Sequence, residues 1–223
     1  MSNSQLTTFN GAQPFEPLHN ELVVGRTVIL NIDPQNDFLH EDGHYAKSGI
    51  DISHMRRSIE PIRTLIAEAR RRGVPIIWTR HGTKGVLDGG PFMQHRPFLR
   101  EGGLRQNTWG YEVYEPLGPL PSDWFVEKTR LSAFYNTNLE VVLRGLNAST
   151  IIITGVLTNQ CVAATGKDAM FRDFLPIVIE EATGTTLPNL HEPALEMMRV
   201  GWAEVCSMER IMSQLQTFPL TND

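Results

Sequence analysis

Short apolar runs alternate along the chain with segments of helical periodicity. Residues 27–32 form a nearly continuous apolar run, which is typical of a strand buried on both faces of a parallel sheet. Five further runs follow, at residues 74–79, 123–127, 150–154, 177–180 and 203–206. Between them, apolar residues recur at helical spacing, and the first such set is Met55, Ile59, Ile62, Leu65, Ile66 and Ala69. This alternation predicts an α/β fold, a three-layer α-β-α sandwich with a mainly parallel six-stranded Rossmann-like sheet.

Two segments do not follow the alternation. Residues 1–22 have no convincing periodicity and contain Pro14 and Pro17, so we expect an irregular N-terminal arm before a single domain of residues 23–223. Residues 81–121 form a long excursion rich in Gly and Pro, and such loops are usually lids or binding loops. The aromatic and basic residues of this excursion could line either a pocket or an oligomer interface: Phe92, His95, Arg96, Arg100, Arg105, Trp109 and Tyr111.

Composition narrows the class of protein. A length of 223 residues suits one α/β domain, and a net charge of −5 gives no electrostatic footprint for nucleic acid or an anionic membrane. No apolar run approaches the roughly 18 residues of a membrane span, and the polar N-terminus has no secretory signal. Two cysteines are too few for a disulfide framework, so we expect a cytoplasmic protein in which Cys161 is a free thiol.

Three chemically capable residues follow three different predicted strands. Asp33 comes after the first strand, Lys128 after the third, and Cys161 in the first turn of a helix after the fourth. Taken singly, they could be a turn residue, a surface lysine and a small buried hydrophobe. Because the carboxyl ends of parallel strands open on one edge of the sheet, their joint placement favours an active site.

Several common cofactor and hydrolase motifs are missing from the sequence. No Gly-x-Gly-x-x-Gly follows the first strand and no Walker loop is present, so no nucleotide cofactor is expected. No Gly-x-Ser-x-Gly elbow is present either, which argues against a serine hydrolase.

Three segments carry a resemblance to a known family. They are Asp33-Pro-Gln-Asn-Asp-Phe38, Glu127-Lys128-x-Arg-x-Ser-Ala-Phe134 and Thr154-Gly-Val-Leu-Thr-Asn-Gln-Cys161-Val. In this order and spacing they resemble the isochorismatase-like cysteine hydrolase superfamily, over a region from about Val24 to Leu215.

The resemblance implies a catalytic triad of Asp33, Lys128 and Cys161. Lys128 and the helix N-terminus would lower the pKa of the thiol, and Asp33 would act as general base. The thiolate would attack an amide-type carbonyl, and the backbone N–H groups of Leu157 and Cys161 would hold the oxyanion. The family also implies a cis peptide between Val156 and Leu157. Asn36 and Asp37 are expected to brace the loop rather than to touch a ligand.

The branch of the family is predicted from further residues. Cys161 argues against the isochorismatases, which lack the cysteine. The nicotinamidases bind a metal through a segment from which Trp78-Thr-Arg-His81-Gly differs, so no metal is expected. Residues 109–111 and 132–137 resemble the ureide- and carbamoyl-cleaving branch, although Leu131 and His81 depart from the ureidoacrylate enzymes. The pocket candidates, for which core or interface packing is the alternative, are Phe38, His81, Trp109, Phe134 and Tyr135.

The sequence therefore predicts a cysteine-dependent hydrolase that cleaves a C–N bond of a small amide, ureide or carbamoyl compound through a thioester. The alternatives are a metal-dependent nicotinamidase-like amidase, a small-molecule binding protein without turnover, and a thiol redox sensor built on Cys161. We expect a homo-oligomer, a dimer or tetramer, with no nucleic-acid or membrane partner.

Overall fold

The computed structural model describes residue 16 and residues 18–221. Six strands form one parallel sheet in the order β3-β2-β1-β4-β5-β6, which confirms the predicted α/β class. This is the order of a doubly wound sheet, in which the strand order reverses at β1 and β4. The strands are β1 (Thr27–Ile32), β2 (Ile76–His81), β3 (Trp124–Lys128), β4 (Thr150–Val156), β5 (Leu175–Gly184) and β6 (Glu204–Cys206).

Helices cover both faces of the sheet. Apolar side chains of the helices Ile59–Arg71 and Met208–Leu215 pack on one face, and those of the helices Leu139–Gly145, Ala163–Met170 and His191–Gly201 pack on the other, so the predicted three layers are confirmed. The α-helices are α1 (Asn36–Leu39), α2 (His44–Lys47), α3 (Ser53–Arg56), α4 (Ile59–Arg71), α5 (Gly90–Gln94), α6 (Phe98–Glu101), α7 (Leu139–Gly145), α8 (Ala163–Met170), α9 (His191–Gly201) and α10 (Met208–Leu215). Short 3-10 helices occupy Leu87–Gly89, Trp109–Tyr111, Glu115–Leu117 and Pro188–Leu190.

The second strand begins and ends two residues later than the sequence predicts. Val74 and Pro75 precede it, and the carbonyl of Pro75 accepts a hydrogen bond from the N–H of Ile29 at 2.9 Å. Because a proline has no N–H to donate to a ladder, regular pairing begins at Ile76. The shift makes His81 the last residue of β2, in register with Lys128 of β3.

The turn that carries Cys161 also differs from the prediction. Instead of one helix with the cysteine in its first turn, Thr158–Val162 forms a single π-helical turn, and α8 follows from Ala163. Such wide turns are frequent at functional sites.

The predicted N-terminal arm lies largely outside the described residues. Near its end, the backbone N–H of Asn20 bonds the Glu204 carboxylate and that of Leu22 bonds the Gln214 side chain at 2.9 Å, which ties residues 20–22 to β6 and α10. In the described part of the chain, no helix is long and apolar enough to cross a membrane.

Candidate active site

The sheet brings the three predicted catalytic residues to one edge. β1 lies between β2 and β4, and β3 lies on the far side of β2. Asp33 directly follows β1, Lys128 is the last residue of β3, and Cys161 lies in the turn after β4. All three side chains are buried, and the structure therefore places them together beneath the surface.

Asp33 and Lys128 form a fully buried ion pair. The Lys128 Nζ lies 2.7 Å from Asp33 Oδ2, and it also donates to the carbonyls of Arg130 at 2.9 Å and Leu131 at 3.0 Å. The Thr79 hydroxyl donates to Asp33 Oδ1 at 2.5 Å and accepts from the Asp33 N–H at 3.0 Å. Burial lowers the pKa of Lys128, but Asp33 and the thiol together raise it by more. The pKa of Lys128 is therefore raised overall, and the amine stays charged.

The resting thiol does not have the lowered pKa that the sequence predicts. Burial raises the pKa of Cys161 to about 12; Lys128 acts in the predicted direction and lowers it, while Asp33 raises it. Desolvation wins because the thiol is almost fully enclosed. Cys161 is therefore a protonated thiol at rest, and a base must remove its proton when it attacks.

The backbone beside Asp33 is shaped by a close approach of β1 and β4. Asp33 adopts a φ of 51°, a left-handed conformation that aspartate tolerates better than most residues. Gly155 has a φ of 102°, and a Cβ at that position would lie 2.1 Å from the Ile32 carbonyl oxygen. Only glycine fits there. Its missing side chain lets the end of β4 pass directly beside Ile32, the residue that precedes Asp33.

His81 completes the buried cluster. Its Nδ1 lies 4.0 Å from Cys161 Sγ, and its Nε2 is buried without a hydrogen-bond partner in the described part of the chain. Burial and the charge of Lys128 hold the pKa of His81 well below its usual range, so the imidazole is neutral.

Asp33, His81 and Cys161 also have the spacing of a metal-ligand set. One ligand atom from each lies within 4.8 Å of the other two, so these residues could hold a metal ion. However, the ammonium of Lys128 lies against the Asp33 carboxylate and would repel a second cation at this place. The expectation that no metal is needed stays a prediction.

The peptide between Val156 and Leu157 is cis, as the family resemblance implies. Leu157 is buried and directly precedes the turn that carries Cys161. The assignment of the Leu157 and Cys161 N–H groups to an oxyanion hole stays a prediction.

Three of the remaining pocket candidates, Phe38, Trp109 and Phe134, contact other aromatic rings. Phe38 packs on Tyr45 with ring centroids 4.6 Å apart, and Phe134 stacks on Phe174 at 6.0 Å. Trp109 is 53% exposed and packs edge-on against His40. Tyr135 is equally exposed. A substrate-binding role for Phe38, Trp109, Phe134 and Tyr135 stays a prediction, whereas His81 lies directly beside the thiol.

Two excursion residues lie at the site. The Phe92 ring lies 4.8 Å from the His81 ring, and the guanidinium of Arg96 lies 4.3 Å above the Phe92 ring. Arg96 also donates to the Gln160 side chain at 2.5 Å. Phe92 and Arg96 therefore lie next to the buried cluster, and their use in a pocket or in an oligomer interface stays a prediction.

Other residues at the site were not identified from the sequence. Thr79 is one of them, although it precedes His81 by two residues and so shares its face of β2, a signal that was available. Tyr45 is fully buried; its pKa is raised by burial and by the charges of Cys161 and Asp33, although Arg96 lowers it. Gln160 directly precedes Cys161, but its contact with Arg96 joins segments that are far apart in the chain. Tyr45 comes from a distant segment, and no local pattern marks it.

The segment after Asp33 fastens the excursion to the sheet. Gln35 donates to the carbonyls of His81 and Tyr111 and accepts from the His81 N–H at 2.7 Å. Asn36 donates to the Trp109 carbonyl at 2.8 Å, and Asp37 accepts from the Leu104 N–H at 2.6 Å. The bracing role predicted for Asn36 and Asp37 is confirmed.

Comparison with known proteins gives a consistent result. A family model described as the isochorismatase domain matches residues 27–210. The chain is 33% identical over 205 residues to the ureidoacrylate amidohydrolase RutB of Methylorubrum extorquens, covering 84% of this chain and 83% of that protein. It is 32% identical over 183 residues to the RutB enzyme of Cronobacter turicensis, covering 76% of this chain and 79% of that protein.

Solved structures share the fold. A cysteine hydrolase from Pseudomonas syringae pv. phaseolicola superposes with a TM-score of 0.84 at 24% identity, covering 92% of this chain and 100% of the other. N-carbamoylsarcosine amidase from Thermoplasma acidophilum superposes with a TM-score of 0.68 at 24% identity, covering 82% and 97% of the two chains.

Proposed function

The chain belongs to the isochorismatase family and is an amidohydrolase acting on C–N bonds, and we propose that it does so with Cys161 as a covalent nucleophile. The observation that carries the proposal is the buried cluster in which an Asp33 oxygen and the Cys161 Sγ lie within 4.8 Å of each other. Asp33 is in turn paired with Lys128 at 2.7 Å.

In the first half-reaction, Sγ attacks the substrate carbonyl while its proton passes to the Asp33 carboxylate. Lys128 stabilises the thiolate character that develops, because its charge lowers the pKa of the thiol. The N–H groups of Leu157 and Cys161 hold the negative oxygen of the tetrahedral intermediate. The C–N bond then breaks, Asp33 returns the proton to the departing nitrogen, and a thioester remains on Cys161.

In the second half-reaction, water attacks the thioester. Asp33 takes a proton from the water as the new C–O bond forms, and the intermediate collapses by breaking the C–S bond. The proton on Asp33 returns to the sulfur, so the acid product leaves and the resting thiol is restored. Because burial raises the pKa of the thiol, its proton leaves during the attack and not before it.

The substrate that we propose is a small amide, ureide or carbamoyl compound. Relatives named as ureidoacrylate amidohydrolases support this class. Ureidoacrylate itself is not proposed, because His81 and Leu131 depart from those enzymes and His81 lies directly beside the thiol.

Trapping of the acyl-enzyme tests the proposal. Cys161→Ala should lose turnover of an amide and ureide panel, scored by ammonia release, while keeping the wild-type thermal unfolding curve. Mass spectrometry of the wild-type protein quenched in acid should find the acyl group on the peptide that contains Cys161. The matched control is Cys206→Ser, which removes the other cysteine, located in β6. Full activity in Cys161→Ala would contradict the mechanism.

A metal-dependent amidase is the second candidate, favoured by the metal-like spacing of Asp33, His81 and Cys161. The same panel decides it: we expect dialysis against a chelator to leave ammonia release unchanged. Activity that is lost on chelation and restored by zinc would favour the metal mechanism instead.

We also propose where the enzyme is located, how it assembles and how its chain is divided. We propose a cytoplasmic location because a reducing compartment keeps Cys161 as a free thiol. A homo-oligomer, and the division into an arm of residues 1–22 and a domain of residues 23–223, are likewise proposals. Sedimentation of the whole chain would measure the oligomeric state, and limited proteolysis would test the division between arm and domain.

A further inference from the structure

The residue of the proposed nucleophile, Cys161, is part of a closed series of contacts that also includes Arg96. Cys161 Sγ lies 4.0 Å from the His81 ring, which lies 4.8 Å from the Phe92 ring. Arg96 lies over the Phe92 ring and donates to the side chain of Gln160, the residue directly before Cys161. Two chains of contacts therefore connect the guanidinium with the thiol, one through the Phe92 and His81 rings and one through Gln160.

Arg96 is a cation at this site with unused hydrogen-bonding capacity. Lys128 is already engaged by the Asp33 carboxylate and two backbone carbonyls. Arg96 has no carboxylate within ion-pair distance in the described part of the chain, and its one side-chain acceptor there is the neutral amide of Gln160. A guanidinium has five N–H donors, so most of its donors remain for a ligand.

We propose that Arg96, held by Phe92 and Gln160, binds a carboxylate of the substrate and so directs the enzyme to ureido or carbamoyl acids rather than to neutral amides. This inference rests on the proposed function, because it assumes that the carbonyl to be cleaved lies at Cys161. Arginine suits the task since its planar fork matches a carboxylate with two parallel hydrogen bonds.

The packing of Arg96 supports this role. Contact with the Phe92 ring and the hydrogen bond to Gln160 both restrict the Arg96 side chain, so less side-chain entropy remains to be lost on binding. The guanidinium is thus held against residues that contact the nucleophile or directly precede it in the chain.

Direct binding to an inactive protein tests the proposal. The probes are 3-ureidopropionate and propylurea, which match in size and ureide group but differ in the carboxylate. In a Cys161→Ser background, calorimetry should find that the anionic probe binds more tightly than the neutral one. Arg96→Met should weaken binding of 3-ureidopropionate by about ten- to a hundredfold, as expected for a charged hydrogen bond, and should change binding of propylurea by less than about twofold.

Two further variants separate charge from structure. Arg96→Lys should keep part of the preference for the anion, because an ammonium retains the charge without the planar fork. Arg63→Met is the control for loss of one positive charge, since Arg63 is 60% exposed on α4 and pairs with Glu60. It should leave the binding of both probes unchanged.

The outcomes distinguish this inference from the proposed function. Equal weakening of both probes by Arg96→Met would assign Arg96 a structural role and overturn the inference. Failure of the Cys161→Ser protein to prefer 3-ureidopropionate would overturn it as well. If the anion preference depends on Arg96 but the wild-type protein forms no thioester, the proposed mechanism fails and the anion-binding assignment stands.

Discussion

Asp33 carries two tasks that pull in different directions. As an anion it keeps Lys128 charged in a buried place, and as a base it must receive the proton of the Cys161 thiol. Its negative charge also raises the pKa of that thiol, which opposes ionisation in the resting state. The arrangement therefore couples formation of the thiolate to proton transfer and does not store a free thiolate.

Removal of the Asp33 charge should separate these two tasks. Asp33→Asn removes the general base, so turnover should fall by roughly a hundred- to ten-thousandfold. The same change removes an anion that raises the pKa of Cys161 and leaves Lys128 facing the thiol, so the pKa of Cys161 should fall below about 12. The measurement is the rate of alkylation by iodoacetamide against pH, in a Cys206→Ser background. An inactive variant with an unchanged or higher thiol pKa would contradict this account.

The sequence predicted the residues whose position depends on strand ends. Asp33, Lys128 and Cys161 could be placed together because each follows a buried run and parallel strands share an edge. The contact of Gln160 with Arg96 and the burial of Tyr45 at the site could not be predicted, since both depend on how distant segments pack. The pKa of Cys161 was predicted in the wrong direction, because the extent of burial around a thiol is not encoded in local sequence.

At the scale of elements, the junction of β1 and β4 positions the site. Gly155 lies where a side chain would collide with backbone of β1, at a φ of 102°. Gly155→Ala should therefore lower the free energy of unfolding by about 3 kcal/mol or more, through strain and displacement of the strands. Urea denaturation measures the loss, and turnover should fall with it because Asp33 is displaced.

A second glycine provides the control for that change. Gly145, the last residue of α7, has no atom within 4 Å of an added Cβ. Gly145→Ala should leave stability unchanged or raise it by up to about 1 kcal/mol, since alanine favours a helix. Equal stability of the two variants would show that β1 and β4 do not approach as closely as described.

Element boundaries depart from the sequence pattern where tertiary contacts decide them. The turn at Thr158–Val162 contains no glycine or proline that would mark a break before α8. The excursion is organised by Gln35, Asn36 and Asp37, which bond backbone groups far along the chain. Neither feature can be predicted from hydrophobic periodicity. Strands β1 to β6 can be, because their buried faces produce the apolar runs.

At the scale of the whole molecule, three imidazoles are kept neutral by the fold. Burial lowers the pKa of His54, His81 and His191. The rings of His54 and His191 lie 4.8 Å apart, and His191 Nδ1 lies 3.0 Å from the Thr158 hydroxyl, in the turn that carries Cys161. In mild acid the folded chain therefore binds fewer protons at these histidines than the unfolded chain does.

The consequence is a loss of stability on acidification. Below an unfolded histidine pKa of about 6.5, the unfolded chain binds more protons than the folded one, so the free energy of unfolding falls as the pH falls. This loss starts as the pH passes through about 6.5 and continues toward the lower folded pKa values. His191→Gln, whose amide can still bond Thr158, should make the fall between about pH 7 and pH 5 shallower in urea denaturation. His19→Gln, at an exposed position, should keep the wild-type slope. If His191→Gln also keeps that slope, the neutral imidazole of His191 does not contribute to the acid sensitivity.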